Sequence, residues 1–99
     1  MNKIRIDLNQ PRFQDDLLNL PVAEVSRLLS CFAKIRKLSW DERYRDRGLR
    51  WEAIESSSGP NGQKLYSLRV SQKMRAVAYR DKEWMRMISL HPDHDSAYN

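Results

Sequence analysis

Only one cysteine, Cys31, occurs among 99 residues, which rules out an internal disulfide and any zinc site built on several cysteines. The same scarcity suits a reducing compartment. Long apolar runs are lacking too. None approaches the roughly 18 to 20 residues that cross a bilayer, and the opening MNKIRIDLNQ has no apolar segment resembling a signal peptide. These absences place the chain in the cytoplasm and away from membranes as an expectation. Repeats and low-complexity tracts are missing, and the one linker-like stretch, Ser56-Ser57-Ser58-Gly59-Pro60-Asn61-Gly62, is short enough to be a loop. Residues 1–99 therefore read as a single domain with one modest core.

What is present fits a folded, basic protein. Hydrophobic residues make up 40% of the chain and charged residues 31%, too apolar a balance for a disordered segment. The net charge of +5 points to a polyanionic partner, either nucleic acid or an acidic protein segment. Cations are densest from Lys34 to Arg50, where Lys34, Arg36, Lys37, Arg43, Arg45, Arg47 and Arg50 outnumber Asp41, Glu42 and Asp46. Such a run is either a solvated helix face or a surface for a partner.

In residues 3–8, Ile4, Ile6 and Leu8 alternate with Lys3, Arg5 and Asp7, the period of a half-buried strand. Pro11 to Leu18 suits a short helix, and Pro21 sits well at the first turn of a longer one. That longer helix carries an apolar stripe of Val22, Val25, Leu28, Leu29, Phe32, Ile35 and Leu38, with Cys31 at its border as a small core residue. Ser39 and Glu42 form a capping-box pattern, which predicts a further short helix to about Asp46. After Gly48, Leu49, Trp51 and Ala53 alternate with Arg50 and Glu52 as a second strand. Three strands follow at about Lys64–Val70, Met74–Arg80 and Trp84–His91, joined by tight connections. The expected fold is α+β: an N-terminal strand and two to three helices packed on one face of a twisted antiparallel sheet of four to five strands.

A first hairpin symmetric about Gln72 sets Arg69 opposite Arg75, Ser67 opposite Val77 and Tyr66 opposite Ala78. A second hairpin symmetric about Lys82 sets Ser89 beside Arg75 and Met87 beside Val77, with His91 near Lys73. The core face would then hold Tyr66, Leu68, Val70, Met74, Ala76, Ala78, Ile88 and Leu90. Met74, Met85 and Met87 read first as packing, although Met85 and Met87 would share the open face with Val77 and Tyr79, an apolar strip suited to a peptide partner. Facing arginines cost roughly 0.2 to 1 kcal/mol. Either Glu52 or Glu55 neutralises them, or the register slips by one residue, or they form the floor of an anion site on the open face.

The segment LYSLRVSQKMRAVAYRDKEWMRMISLHPDHDSAY resembles the C-terminal half of RelE/ParE-superfamily toxins: a Y-x-hydrophobic-R-V strand, an R-x-hydrophobic-x-Y strand, an apolar strand and an H-D-x-A-Y ending. The resemblance implies a bacterial type II toxin silenced by a cognate antitoxin. Its target would be mRNA on the ribosome, cut by a metal-independent endonuclease without cofactor, or DNA gyrase, inhibited without cleavage. A relative that keeps only the fold and binds is the third option. By the same resemblance Arg75 contacts the scissile phosphate and Arg69 is a basic neighbour. Tyr98 stacks on a base or orients the substrate, and His94 stands where other members carry arginine, lysine or histidine. Arg75, His94 and Tyr98 would thus be catalytic, with Arg69, Arg75 and His91 on the substrate.

RNA cleavage without metal needs a base, an acid and cations for the developing phosphate charge, and these residues could supply all three. Asp93 and Asp95 depart from the family pattern by bringing negative charge beside the cleft. Two other readings of the ending stay open. His91, His94 and an aspartate could hold a metal, though two residues between the histidines is poor geometry at a strand end. Alternatively Asp93 and Asp95 fix a turn after Pro92 while Tyr98 packs on the sheet. Trp40, Trp51 and Trp84 read as core or antitoxin contacts rather than base-stacking platforms.

Overall fold

The computed structural model describes residues 3–59 and 61–92, the side chains of residues 56 and 57 excepted. Its elements are β1 (Arg5–Asp7), α1 (Pro11–Leu18), α2 (Val22–Ile35), α3 (Trp40–Arg45), β2 (Glu52–Ser58), β3 (Lys64–Arg69), β4 (Arg75–Asp81) and β5 (Trp84–His91). The fold is α+β, with one five-stranded sheet in the order β1-β5-β4-β3-β2. Strands β2 to β5 form the expected antiparallel meander. β1 joins the far side of β5 in parallel, with Ile6 opposite Met85, so the sheet is mixed. A parallel neighbour needs a long crossover, and the three helices provide it.

Local chemistry sets the helices. Pro11 occupies the first turn of α1, where its missing N–H costs nothing. At α3 the capping box is complete: the Glu42 amide donates to Ser39 Oγ at 3.3 Å, and the Ser39 amide donates to Glu42 Oε1 at 3.0 Å. In α2, Leu28, Cys31, Phe32 and Ile35 are buried, whereas Val22 and Leu29 point outward, 86% and 54% exposed. The buried stripe is therefore narrower than the sequence periodicity implies. None of these helices is long and apolar enough to cross a membrane.

The core lies between helices and sheet. Phe13, Leu28, Phe32 and Ile35 meet Leu68, Met74, Ala76, Ala78, Met85, Met87 and Leu90. A smaller cluster on the other face holds Ile54, Leu65 and Val77, with Tyr79 and Ile88 packed against it. β2 starts at Glu52 rather than near Leu49, because Arg50 takes a left-handed φ of 47° that interrupts an extended run. It continues through Ser58, so the first half of the serine-rich stretch is strand with an irregular register between Ile54 and Ser58.

In the first hairpin the pairs Arg69 with Arg75, Ser67 with Val77, and Tyr66 with Ala78 are those expected. The second hairpin differs. Asp81 pairs with Trp84, so the connection has two residues, and Lys82 closes it with a φ of 57°. That one-residue change puts Met87 opposite Ala78 and Met85 opposite Arg80, and both methionines enter the core, 1% and 0% exposed. A bulge between the Ala78–Met87 and Val77–Ser89 pairs then takes up Ile88 and restores the original parity. The apolar strip on the second face accordingly loses Met85 and Met87 and gains Ile88. His91 lies opposite Arg75, not near Lys73.

A fully buried charge sits inside this framework. Arg43 is fully buried; its Nη2 donates to the Leu49 carbonyl at 3.4 Å, and its guanidinium carbon lies 5.2 Å from the Trp51 ring centre. Nε and Nη1 have no partner among the described residues. Burial pulls this guanidinium down to about 10, although Asp46 opposes the shift. The stack continues through Trp51 to Tyr66, 4.5 Å away and nearly parallel, and to Trp40 at 5.3 Å.

Two stability tests follow from these contacts. Replacing Lys82 with Gly removes the left-handed cost of a side chain and should raise stability by about 0.5–1 kcal/mol in urea unfolding. Arg43→Met should leave stability unchanged or raise it by about 1 kcal/mol, because a buried unpaired charge is removed while the volume is kept. Arg43→Ala should cost about 2–4 kcal/mol through the cavity it opens. Thermal unfolding of the two variants separates charge from volume.

Candidate anion-binding site

Arg69, Arg75 and His91 stand in one row across β3, β4 and β5, because Arg69 pairs with Arg75 and Arg75 pairs with His91. Of the alternatives drawn from the sequence, the register slip and neutralisation by Glu55 fall away. The register has not slipped, and Glu55 turns to Lys64, 4.0 Å away. No salt bridge among the described residues joins Arg69 or Arg75 to a carboxylate. Glu52 lies one pair along, opposite Ser67.

Arg75 is only 6% exposed. Its Nη1 donates to the carbonyls of Ser71 and Met74 at 3.0 and 3.3 Å, clamping the connection between β3 and β4. Nε and Nη2 make no hydrogen bond among the described residues. Arg69 is held by its backbone, whose amide donates to the Leu49 carbonyl at 2.7 Å. Next along the face come Ser67, Val77 and Ser89, all buried.

The His91 ring is oriented by Ser89, whose hydroxyl lies 2.9 Å from Nε2. Burial and the nearby Arg12 guanidinium push the imidazole below its ordinary value of 6.5, with Asp16 opposing. The ring is therefore neutral at pH 7 and can accept a proton. Helix α1 brings both charged groups: the Leu90 amide donates to Asp16 Oδ2 at 2.9 Å, docking the helix on β5, and Arg12 lies 3.8 Å from Asp16.

Ser89, Arg12 and Asp16 were not picked out by sequence. A serine in an apolar strand carries no signal, and Arg12 and Asp16 look like an ordinary surface pair four residues apart. His94 and Tyr98 lie outside the described residues, as do Asp93 and Asp95, so neither the catalytic reading of the ending nor its metal and turn alternatives receives any geometry. Among the described residues no three His, Cys, Asp or Glu side chains are grouped to hold a metal ion. Cys31 is buried, and burial raises its thiol to about 11 despite Arg43 and Lys34, as befits a core residue rather than a nucleophile. Comparison with family models, curated proteins and solved structures found no match.

A pH dependence follows from His91. The unfolded chain takes up a proton near 6.5 that the folded chain resists, so the stabilisation is complete above that value and declines as pH falls below it. The urea midpoint of the wild type should fall between about pH 7.5 and about pH 5.5, and His91→Gln should fall less. An equal slope in both proteins would remove His91 as the cause.

Proposed function

We propose that this chain is the toxin of a bacterial type II toxin–antitoxin pair: a metal-independent, RelE-like endonuclease acting in the cytoplasm on mRNA held in the ribosome, and silenced by a cognate antitoxin. The observation that carries this reading is the row of Arg69, Arg75 and His91, two arginines at directly paired positions with no carboxylate salt bridge among the described residues and an imidazole held below its ordinary value beside them. An anion between the arginines relieves their repulsion, and a phosphodiester presents oxygens at the spacing a pair of guanidiniums can hold. The net charge of +5 favours the same partner.

Cleavage then runs as an internal displacement. The 2′-oxygen attacks phosphorus while its proton passes to the His91 imidazole, and the bond to the 5′-oxygen breaks with a proton supplied by an acid. The products are a 2′,3′-cyclic phosphate and a 5′-hydroxyl. Arg69 and Arg75 stabilise the charge gathering on the phosphate oxygens. His94 as a further base or acid, and Tyr98 as the group that stacks on a base or orients the substrate, rest on the family resemblance.

The second reading, a gyrase inhibitor that cuts nothing, draws on one observation. Arg75 is buried and partly committed to hairpin carbonyls, as suits a structural clamp.

Induced expression in bacteria, with mRNA 5′ ends mapped by primer extension, tests both. Wild type should arrest growth and generate new in-frame ends. His91→Ala and His94→Ala should each cut the cleavage rate by about 100-fold or more, the usual contribution of a general acid or base. Arg69→Ala spares the clamp and should weaken RNA binding for every sequence, lowering its salt dependence by about one phosphate contact. Arrest without cleavage, with supercoiling halted, establishes the gyrase reading. No arrest in any variant leaves a binding protein.

A further inference from the structure

Beyond the arginine row, a cleft of about 490 Å³ opens beside the same face, between the end of β4, β5 and the loop that follows β2. Its wall is formed by Asn9, Gln10, Asn61 and Gln63, with Tyr79 and Ile88 supplying aromatic and apolar surface. Charge is balanced there. Arg86 donates to Asp7 Oδ2 at 2.5 Å and to Asp81 Oδ2 at 3.0 Å, so both carboxylates are spent on one guanidinium. The arginine row attracts anions; this cleft offers neutral donors and acceptors.

Those groups are available and partly pre-set. Gln63 Oε1 accepts the Asn61 amide at 2.8 Å, which orients the carboxamide and leaves its NH2 without a partner among the described residues. The loop that holds it is tight: the Gly59 amide donates to the Gln63 carbonyl at 2.8 Å, and Gly62 adopts a φ of 78° that favours glycine. The side chains of Asn9, Gln10 and Asn61 and the Tyr79 hydroxyl make no hydrogen bond among the described residues. A ligand matched to this cleft is flat, uncharged and edged with both donors and acceptors.

We infer that the cleft binds a nucleobase of the same RNA strand whose phosphate lies on Arg69 and Arg75, a deepening that rests on the RNA reading above. Tyr79 is four residues from Arg75 along β4, about 13 Å, within reach of a few nucleotides of extended strand. Carboxamides pair with base edges through two hydrogen bonds, and Tyr79 with Ile88 covers a base face. The cleft thus selects sequence while the arginine row holds the backbone.

Amide spectra of the full chain test the cleft directly, with free nucleosides as one probe and a capped glycine amide as the other. The side-chain NH2 signals of Asn61 and Gln63 should shift with at least one nucleoside and not with the peptide probe, and Gln63→Ala and Tyr79→Phe should weaken the effect. Silence with all nucleosides, or shifts with the peptide probe alone, overturns the inference, the second result assigning the cleft to a protein segment. Fluorescence anisotropy with a short single-stranded RNA carrying one abasic position, moved stepwise along it, separates this inference from the reading beneath it. Gln63→Ala should weaken the intact RNA about two- to tenfold, and should have no further effect when the abasic position is in register. RNA binding that depends on Arg69 but shows no such position overturns the base site alone. An RNA that fails to bind the wild type overturns the substrate reading, and with it the strand assigned to this cleft.

Discussion

The second face of the sheet depends on the register between β4 and β5. A strand's side chains alternate with period two, so a one-residue change in pairing moves every residue across the sheet. Here two such changes occur in sequence. The two-residue connection at Lys82 and Glu83 sends Met85 and Met87 into the core, and the bulge at Ile88 reverses the parity before Ser89. Without the bulge, Ser89 and His91 would face the core and Leu90 would face away from it. With it, a single strand fills the core with two methionines and still delivers an imidazole opposite Arg75.

Electrostatics makes this arrangement costly unless it is used. Some charges elsewhere are matched: Arg86 takes Asp7 and Asp81, Lys34 takes Asp46 at 3.3 Å, and Glu42 closes the α3 cap. Among the described arginines that are not exposed, two places lack such a match. Arg43 is buried over Trp51 without a carboxylate salt bridge among the described residues, compensated by ring contact and one carbonyl. The second is the arginine row, where no ring stacks on either guanidinium among the described residues. Arg43 is explained by packing, since its long side chain fills space between α3, Leu49 and the aromatic stack. Arg75 spends one edge on the Ser71 and Met74 carbonyls, whereas the Arg69 side chain makes no hydrogen bond or ion pair among the described residues, and the proposed reading centres on this pair.

Much of the fold was legible because it is decided locally. The capping box of Ser39 and Glu42, the proline starts of α1 and α2, and the alternation of β3 and β4 each depend on neighbours within a few residues. The first hairpin's register could be counted from its connection. What could not be read was decided by packing. Lys82 carries no signature of a left-handed residue, and the sequence WMRMISLH alternates too weakly to reveal where its parity reverses. Val22 and Leu29 share the helical period of Leu28 and Phe32, yet among the described residues no element lies over them. Arg12 and Asp16 acquire meaning only when α1 docks beside His91.

Arg75 has a structural role, and that role is compatible with the one proposed for it at the site. A guanidinium has five N–H donors in a rigid plane. Spending Nη1 on the Ser71 and Met74 carbonyls fixes that plane against the connection between β3 and β4. The edge formed by Nε and Nη2 is then held in one orientation before any ligand arrives, so little side-chain freedom is lost on binding. A lysine could not do this, since its ammonium has no second edge to present once its donors turn to the carbonyls. On the function proposed above, the clamp is the means by which a buried arginine would be kept ready for a phosphate, with Arg69 opposite to share its charge.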